Sequence, residues 1–169
     1  MDNIIIRDVK IEDIPQMAIV RQNVWSTTYR GIYEDESIDN FDYAKVEQSF
    51  REKTAIPNVM FKVALCDNKI VGYVCFGKID NPYKESDYCI RYIHILKDCQ
   101  GAGLGRKFFN MILEYIAMNN IKSFYVSCNK YNYPAHKYYE KMGFVKDDVI
   151  SSKNKKEEQI IYVYRVGNN

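Results

Sequence analysis

The stretch Gln100-Gly101-Ala102-Gly103-Leu104-Gly105-Arg106-Lys107 carries the clearest chemical signal in the chain, with three of the eight glycines at alternate positions. Glycine accepts a positive φ and lets a ligand approach the backbone amides closely. The stretch lies between a run that reads as a strand, residues 88–96, and a helix in which Leu104, Phe108, Met111, Ile112, Tyr115 and Ile116 share one face. The first turn of a helix offers unpaired N–H groups and the positive end of the dipole, which together favour an anion. Arg106 and Lys107 add cationic side chains at the same spot. A diphosphate is the natural guest. Neither common nucleotide fingerprint fits, because G-x-G-x-x-G and G-x-x-x-x-G-K both require glycine at position 106, where arginine stands.

A second segment follows: Asn132-Tyr133-Pro134-Ala135-His136-Lys137-Tyr138-Tyr139-Glu140-Lys141-Met142-Gly143-Phe144. The glycine loop after a strand ending in alternating isoleucines, followed by this segment, resembles the acetyl-CoA site of the GNAT superfamily of N-acetyltransferases, and the likeness covers essentially the whole chain. The resemblance implies that residues Gln100, Gly101, Ala102, Gly103, Leu104, Gly105, Arg106 and Lys107 hold the coenzyme diphosphate. It implies that the strand through Ile93 and Ile95 splays from its neighbour around Val126, so that pantetheine slots into the gap and a strand amide donates to the acetyl oxygen. It implies that Asn132 hydrogen-bonds the pantetheine arm, although an asparagine there also reads as a helix N-cap. It implies that Tyr139 protonates the departing thiolate. A phenol with a pKa near 10 is protonated at neutral pH and available for that task. Tyr138 faces elsewhere on the helix and reads as packing.

The general base departs from the family pattern. The usual strand carboxylate positions hold Cys89 and Ser127. Three readings stay open: His94 as the base, since its unperturbed pKa lies near neutrality; Asp87 or Glu85 acting through water; or loss of the amine proton to bulk solvent. Cys89 as an acyl-carrying nucleophile has no activating group nearby in sequence. For the acceptor, Trp25, Tyr29 and Tyr33 fall in a segment similar to the one that borders the substrate in small-molecule members. Glu34, Asp35, Glu36, Asp39 and Asp42 follow with no intervening lysine or arginine. This run reads either as a solvated loop or as a rim that attracts a cationic amine. A small-molecule amine is the expected acceptor. The alternatives are a non-catalytic acyl-CoA-binding module, or an acetyltransferase acting on a protein N-terminus or lysine.

The elements that must position these groups follow from the pattern of apolar residues. A first strand at Ile4–Ile6 precedes a helix from Asp13-Ile14-Pro15, with Asp13 as its capping acid, to about Thr28. Residues 29–42 read as irregular and 43–53 as a helix. A hairpin turns at Asp67-Asn68-Lys69, and its second strand reads to about Ile79. After strand 88–96 and the helix from Leu104 come strand 123–128, a helix over 132–142 and a final hairpin, 144–151 with 159–166. This order predicts an α+β fold: a mixed, mainly antiparallel sheet of about seven strands flanked by four helices, the GNAT-like acyl-CoA N-acyltransferase fold.

Composition narrows the rest. At 169 residues, 47% hydrophobic and 27% charged, the chain reads as one globular acetyltransferase domain over residues 1–169. A net charge of +2 argues for no nucleic-acid partner. No apolar run approaches a membrane span, and an acid at position 2 is unlike a signal peptide. Five widely spaced cysteines and two histidines fit reduced thiols in a cytoplasm and no metal centre. A homodimer is implied only by analogy with the family.

Overall fold

The computed structural model describes residues 3–167. Seven strands form one sheet in the order β1-β2-β3-β4-β5-β7-β6: β1 Ile4–Asp8, β2 Val59–Cys66, β3 Lys69–Tyr83, β4 Ser86–Ile95, β5 Ser123–Asn129, β6 Val145–Ile150 and β7 Gln159–Arg165. Every neighbouring pair is antiparallel except β4 with β5. The helices are α1 Ile14–Thr28, α2 Asp35–Asp39, α3 Tyr43–Ala55, α4 Leu104–Met118 and α5 Tyr133–Lys141. This is the expected α+β architecture, with one helix more than the four predicted. The extra helix, α2, falls in the segment read as irregular, where burial of Ile38 holds a short turn in place.

Two apolar layers cover the two faces of the sheet. On one face Ile14, Met17, Val20 and Val24 of α1 and Phe50 of α3 pack on Phe61, Val63, Tyr73 and Cys75. On the other, Leu104, Phe108, Phe109, Ile112 and Ile116 of α4 and Tyr139 of α5 pack on Val74, Phe76, Ile90, Phe124 and Val126. The period-2 alternation of the strands sends successive side chains to opposite layers.

Local detail departs from expectation at two places. Asp13 makes no cap to α1. A 3-10 turn, Ile11–Asp13, already starts the helical path, so the Asp13 carboxylate turns back to accept from Lys10 N at 2.7 Å and from Arg7 at 2.6 and 2.8 Å. Strand β3 runs past Ile79 to Tyr83, where an irregular register accommodates Asn81 and Pro82 before the turn to β4.

Strand β4 carries an extra residue opposite β3. Cys75 pairs with Tyr92 and Phe76 with Ile90, so Arg91 is left over as a bulge. A bulge bends its strand and sharpens the twist. On the other side β4 meets β5 through a single register pair, Cys89 with Tyr125, and the two strands part beyond it. The strands thus share no register pair at Val126, where the splay was expected, and the bulge lies next to the place where pairing stops.

Candidate active site

The parting of β4 from β5 opens a cleft of about 670 Å³ that is continuous from the glycine loop to α1. Of the residues singled out in the sequence, Trp25, Tyr29, Ile93, His94, Ile95, Gln100, Gly101, Gly103, Gly105, Arg106, Asn132 and Tyr139 line it. Ala102, Leu104, Lys107 and Tyr33 are not on its walls. Leu104 is buried in the core beneath α4. Tyr33 stands behind the wall, tilted against Tyr29 and stacked on Trp25 at centroid distances of 5.2 and 6.0 Å, and its hydroxyl accepts from Asn129 Nδ2 at 3.0 Å.

The glycine loop divides its labour. Gly101 and Gly103 have φ of +79° and +83°, and a Cβ built on either would meet no atom within 4 Å. Gly103 is the N-cap of α4, and no side chain caps that helix end. The first-turn amides are therefore left to a ligand, beside the Arg106 side chain on the cleft wall. These features fit a coenzyme diphosphate. Gly105 does something else: a Cβ there would lie 2.9 Å from the Tyr138 ring, whose hydroxyl donates to Gly105 O at 2.8 Å. Tyr138 packs as expected, but it does not face elsewhere: it lines the same cleft as Tyr139. Gln100 closes the loop by donating to Ile95 O at 3.0 Å.

Strand alternation orients the β4 backbone. Leu96 N donates to Val71 O of β3, and the amides of successive strand residues point to opposite edges, so those of Ile95 and Ile93 face the gap. On the opposite wall Asn132 caps α5, its Oδ1 accepting from Ala135 N at 3.3 Å while the residue also lines the cleft. Tyr139 is 5% exposed, ringed by Tyr138, Phe144 and Tyr162 at 5.3 to 5.9 Å. Burial pushes its pKa well above the usual phenol value, so it holds its proton.

The candidate bases fare unequally. His94 is on the cleft wall, but burial and the nearby Arg21 cation pull its pKa down to about 3, which makes it a poor acceptor of a proton from an ammonium. Glu85 pairs with Arg165 at 2.8 Å and Asp87 with Lys78 at 3.3 Å, and neither lines the cleft. Cys89 and Cys128 are buried thiols pushed up to about 11 and about 12 by desolvation. They are inert as nucleophiles at neutral pH.

The acidic run after α1 forms no rim on the cleft. Asp35 and Asp39 pair with Arg30 at 3.2 and 2.6 Å, Glu34 with Lys156 at 2.9 Å, and Asp42 accepts from Lys45 N as the cap of α3. The solvated reading therefore holds for these residues. Among the described residues the lining contains Arg21, Arg91, Lys97, Arg106 and Lys141 and no aspartate or glutamate. Sequence reasoning passed over Arg21 and Arg91. The signal for Arg21 was its position one helical turn before Trp25. No helix among the described residues is long and apolar enough to cross a membrane.

The profile of the acetyltransferase (GNAT) family matches residues 22–144, which include the glycine loop, β5 and α5. An uncharacterized N-acetyltransferase of Bacillus subtilis (strain 168), YuaI, is 24% identical over 121 residues, covering 72% of this chain and 69% of that protein. Among solved structures, the PaiA N-acetyltransferase of Thermoplasma acidophilum in complex with coenzyme A superposes with a TM-score of 0.78 at 18% identity, covering 96% of this chain and 99% of that one. The ribosomal-protein-S18-alanine N-acetyltransferase of Escherichia coli superposes with a TM-score of 0.71 at 14% identity, covering 97% and 94%. At such identities the likeness is one of fold. The family match spans most of the chain and contains the cleft's loop and its tyrosine helix, and the chain belongs to the acetyltransferase (GNAT) family.

Proposed function

We propose that the protein transfers the acetyl group of acetyl-CoA directly to the primary amine of a small molecule, with Tyr139 as the general acid. The observation that carries this reading is that one cleft joins the uncapped start of α4, the unpaired edge of β4 and the Tyr139 side chain. Its volume of about 670 Å³ is in the range of small-molecule sites. Acetyl-CoA, when bound, supplies the acetyl thioester. The loop from Gln100 to Arg106 holds the diphosphate, and the Ile93 and Ile95 amides and Asn132 serve the pantetheine arm and the acetyl carbonyl.

Tyr139 gives its proton to the sulfur as the carbon–sulfur bond breaks, and regains one from solvent. The amine nitrogen forms the new bond to the acetyl carbon and gives its own proton to water. Among the described residues no carboxylate lines the cleft to take that proton. The amine arrives neutral instead, favoured by the surrounding cations, since like charge lowers the pKa of an ammonium. His94 stays neutral in this scheme and shapes the acceptor wall.

The test is incubation of the protein with acetyl-CoA and a panel of amines, amino acids and peptides, with titration of released thiol. Thiol release that depends on a small amine supports the reading. Tight coenzyme binding with no release from any compound sinks it in favour of a non-catalytic binding module.

A further inference from the structure

The Arg21 guanidinium stands in an unusual setting. It lies over three rings, 5.2 Å from the Tyr92 centroid, 5.6 Å from Trp25 and 5.9 Å from Phe50. Its Nε is buried without a hydrogen-bond partner. No carboxylate among the described residues pairs with it, although Arg7, Arg30, Arg51 and Arg165 all have one. It nonetheless lines the cleft with Trp25 and His94, on α1, which packs on the sheet face opposite to α4.

A half-buried cation without a counter-ion is costly, and aromatic faces recover only part of its lost hydration. The planar fork of arginine matches a carboxylate bidentately. Nearby, Arg91 also lines the cleft with a buried, unpartnered Nε. Its guanidinium is held by the Lys78 carbonyl, so Arg21 is the freer of the two. A diamine or polyamine would bring a second positive charge into a wall that has no acid to receive it.

We infer that Arg21 is the anchor for an anionic group on the acceptor, so that the substrate is an amine bearing a carboxylate and not a polyamine. The inference rests on the proposed acetyl transfer and adds the substrate's charge to it. Arg21 binds the acid end while the amine end reaches toward the Ile93–Ile95 edge of β4. Arg21 here sets specificity; it moves no proton.

The experiment compares kcat/KM for matched pairs that differ by the carboxylate: phenylalanine against phenethylamine, lysine against cadaverine, and 4-aminobutyrate against butylamine. Acetyl-CoA binding is measured calorimetrically alongside. The acid member of at least one pair is expected to exceed its partner at least ~10-fold, in line with an interaction made by a charged fork. Arg21→Met, which keeps the apolar stem among the rings, should raise KM for that acid by ~10-fold or more with kcat little changed. The bare amine, which offers no anionic group to the guanidinium, should lose far less than the acid. Arg21→Lys should restore part of the loss. Preference for the bare amines, or an equal loss on both members in Arg21→Met, overturns the inference. Coenzyme binding without acetylation of any pair, and without heat from the acids, overturns it too. Failure to bind coenzyme instead overturns the acetyl-transfer reading on which it rests.

Discussion

Tyr73 and His94 face each other across β3 and β4 as register partners, with the Tyr73 hydroxyl 2.6 Å from His94 Nδ1. Burial raises the tyrosine well above its usual pKa and lowers the histidine to about 3. Both groups are therefore neutral at pH 7, and they are hydrogen-bonded to each other. Nδ1 is engaged by Tyr73, and the ring that was one of three candidate sources of a base is a neutral imidazole inside an aromatic box of Tyr73 and Tyr92.

That pairing gives a pH dependence of stability. In the unfolded chain the imidazole takes a proton near pH 6.5, whereas the folded protein resists it down to about 3. The unfolded state binds more protons between those values, so stability falls as pH drops from about 6.5 toward 3 and is flat with respect to this group above 6.5. The slope from one such group reaches about 1.4 kcal/mol per pH unit. His94→Gln keeps an acceptor for Tyr73 and removes the titration. Denaturant midpoints measured from pH 4 to 8 should fall less steeply toward acid in the variant than in the parent; parallel curves would mean that the imidazole is not held neutral.

Tyr139→Phe retains the ring contacts to Tyr138, Phe144 and Tyr162 and removes only the hydroxyl. Loss of a general acid costs roughly 10²–10⁴ in turnover. The expected result is a fall in kcat in that range with the acetyl-CoA dissociation constant unchanged. A matching loss of coenzyme affinity would place the hydroxyl in binding instead of proton transfer.

The glycine loop was legible because local rules agree there: glycines, a helix start and an apolar stripe of period 3.6 coincide at Leu104. The start of α5 was legible for the same reason, since Asn132 and Pro134 mark the first turn of a short amphipathic helix. What escaped depends on contacts distant in sequence. The acids at 34–42 read either as a solvated loop or as a rim, and their ion pairs with Arg30 and Lys156 decide for the loop. Asp13 has the type and position of a cap, yet Arg7 claims its carboxylate and lowers its pKa through a direct hydrogen bond. The Arg91 bulge left no trace, because one extra residue in a strand does not alter a pattern read on one strand alone.

Gly103→Ala tests the coenzyme loop. The added Cβ meets no protein atom within 4 Å, so the fold has room for it. The left-handed backbone costs an alanine about 1–2 kcal/mol, and the methyl group projects where the helix amides must be approached. Calorimetry should show acetyl-CoA affinity falling at least ~10-fold in a protein that still melts cooperatively. In Gly105→Ala the methyl group instead strikes the Tyr138 ring, and the melting temperature should suffer first.

Deleting Arg91 tests whether the gap itself is the binding feature. Phe76 and its partner Ile90 share one apolar layer, and Cys75 and its partner Tyr92 share the other. Removing the residue between them therefore restores regular pairing without turning any downstream side chain to the wrong face. A bulge bends its strand, so its removal should straighten β4 beside β5 after Cys89. With the strands drawn together, the Ile93 and Ile95 amides lose the space they face, and acetyl-CoA affinity should drop at least ~10-fold while far-UV circular dichroism is preserved. Arg91→Ala keeps the bulge and should bind the coenzyme nearly as well as the parent. Equal binding by the deletion and the alanine variant would show that the opening between β4 and β5 does not depend on the extra residue.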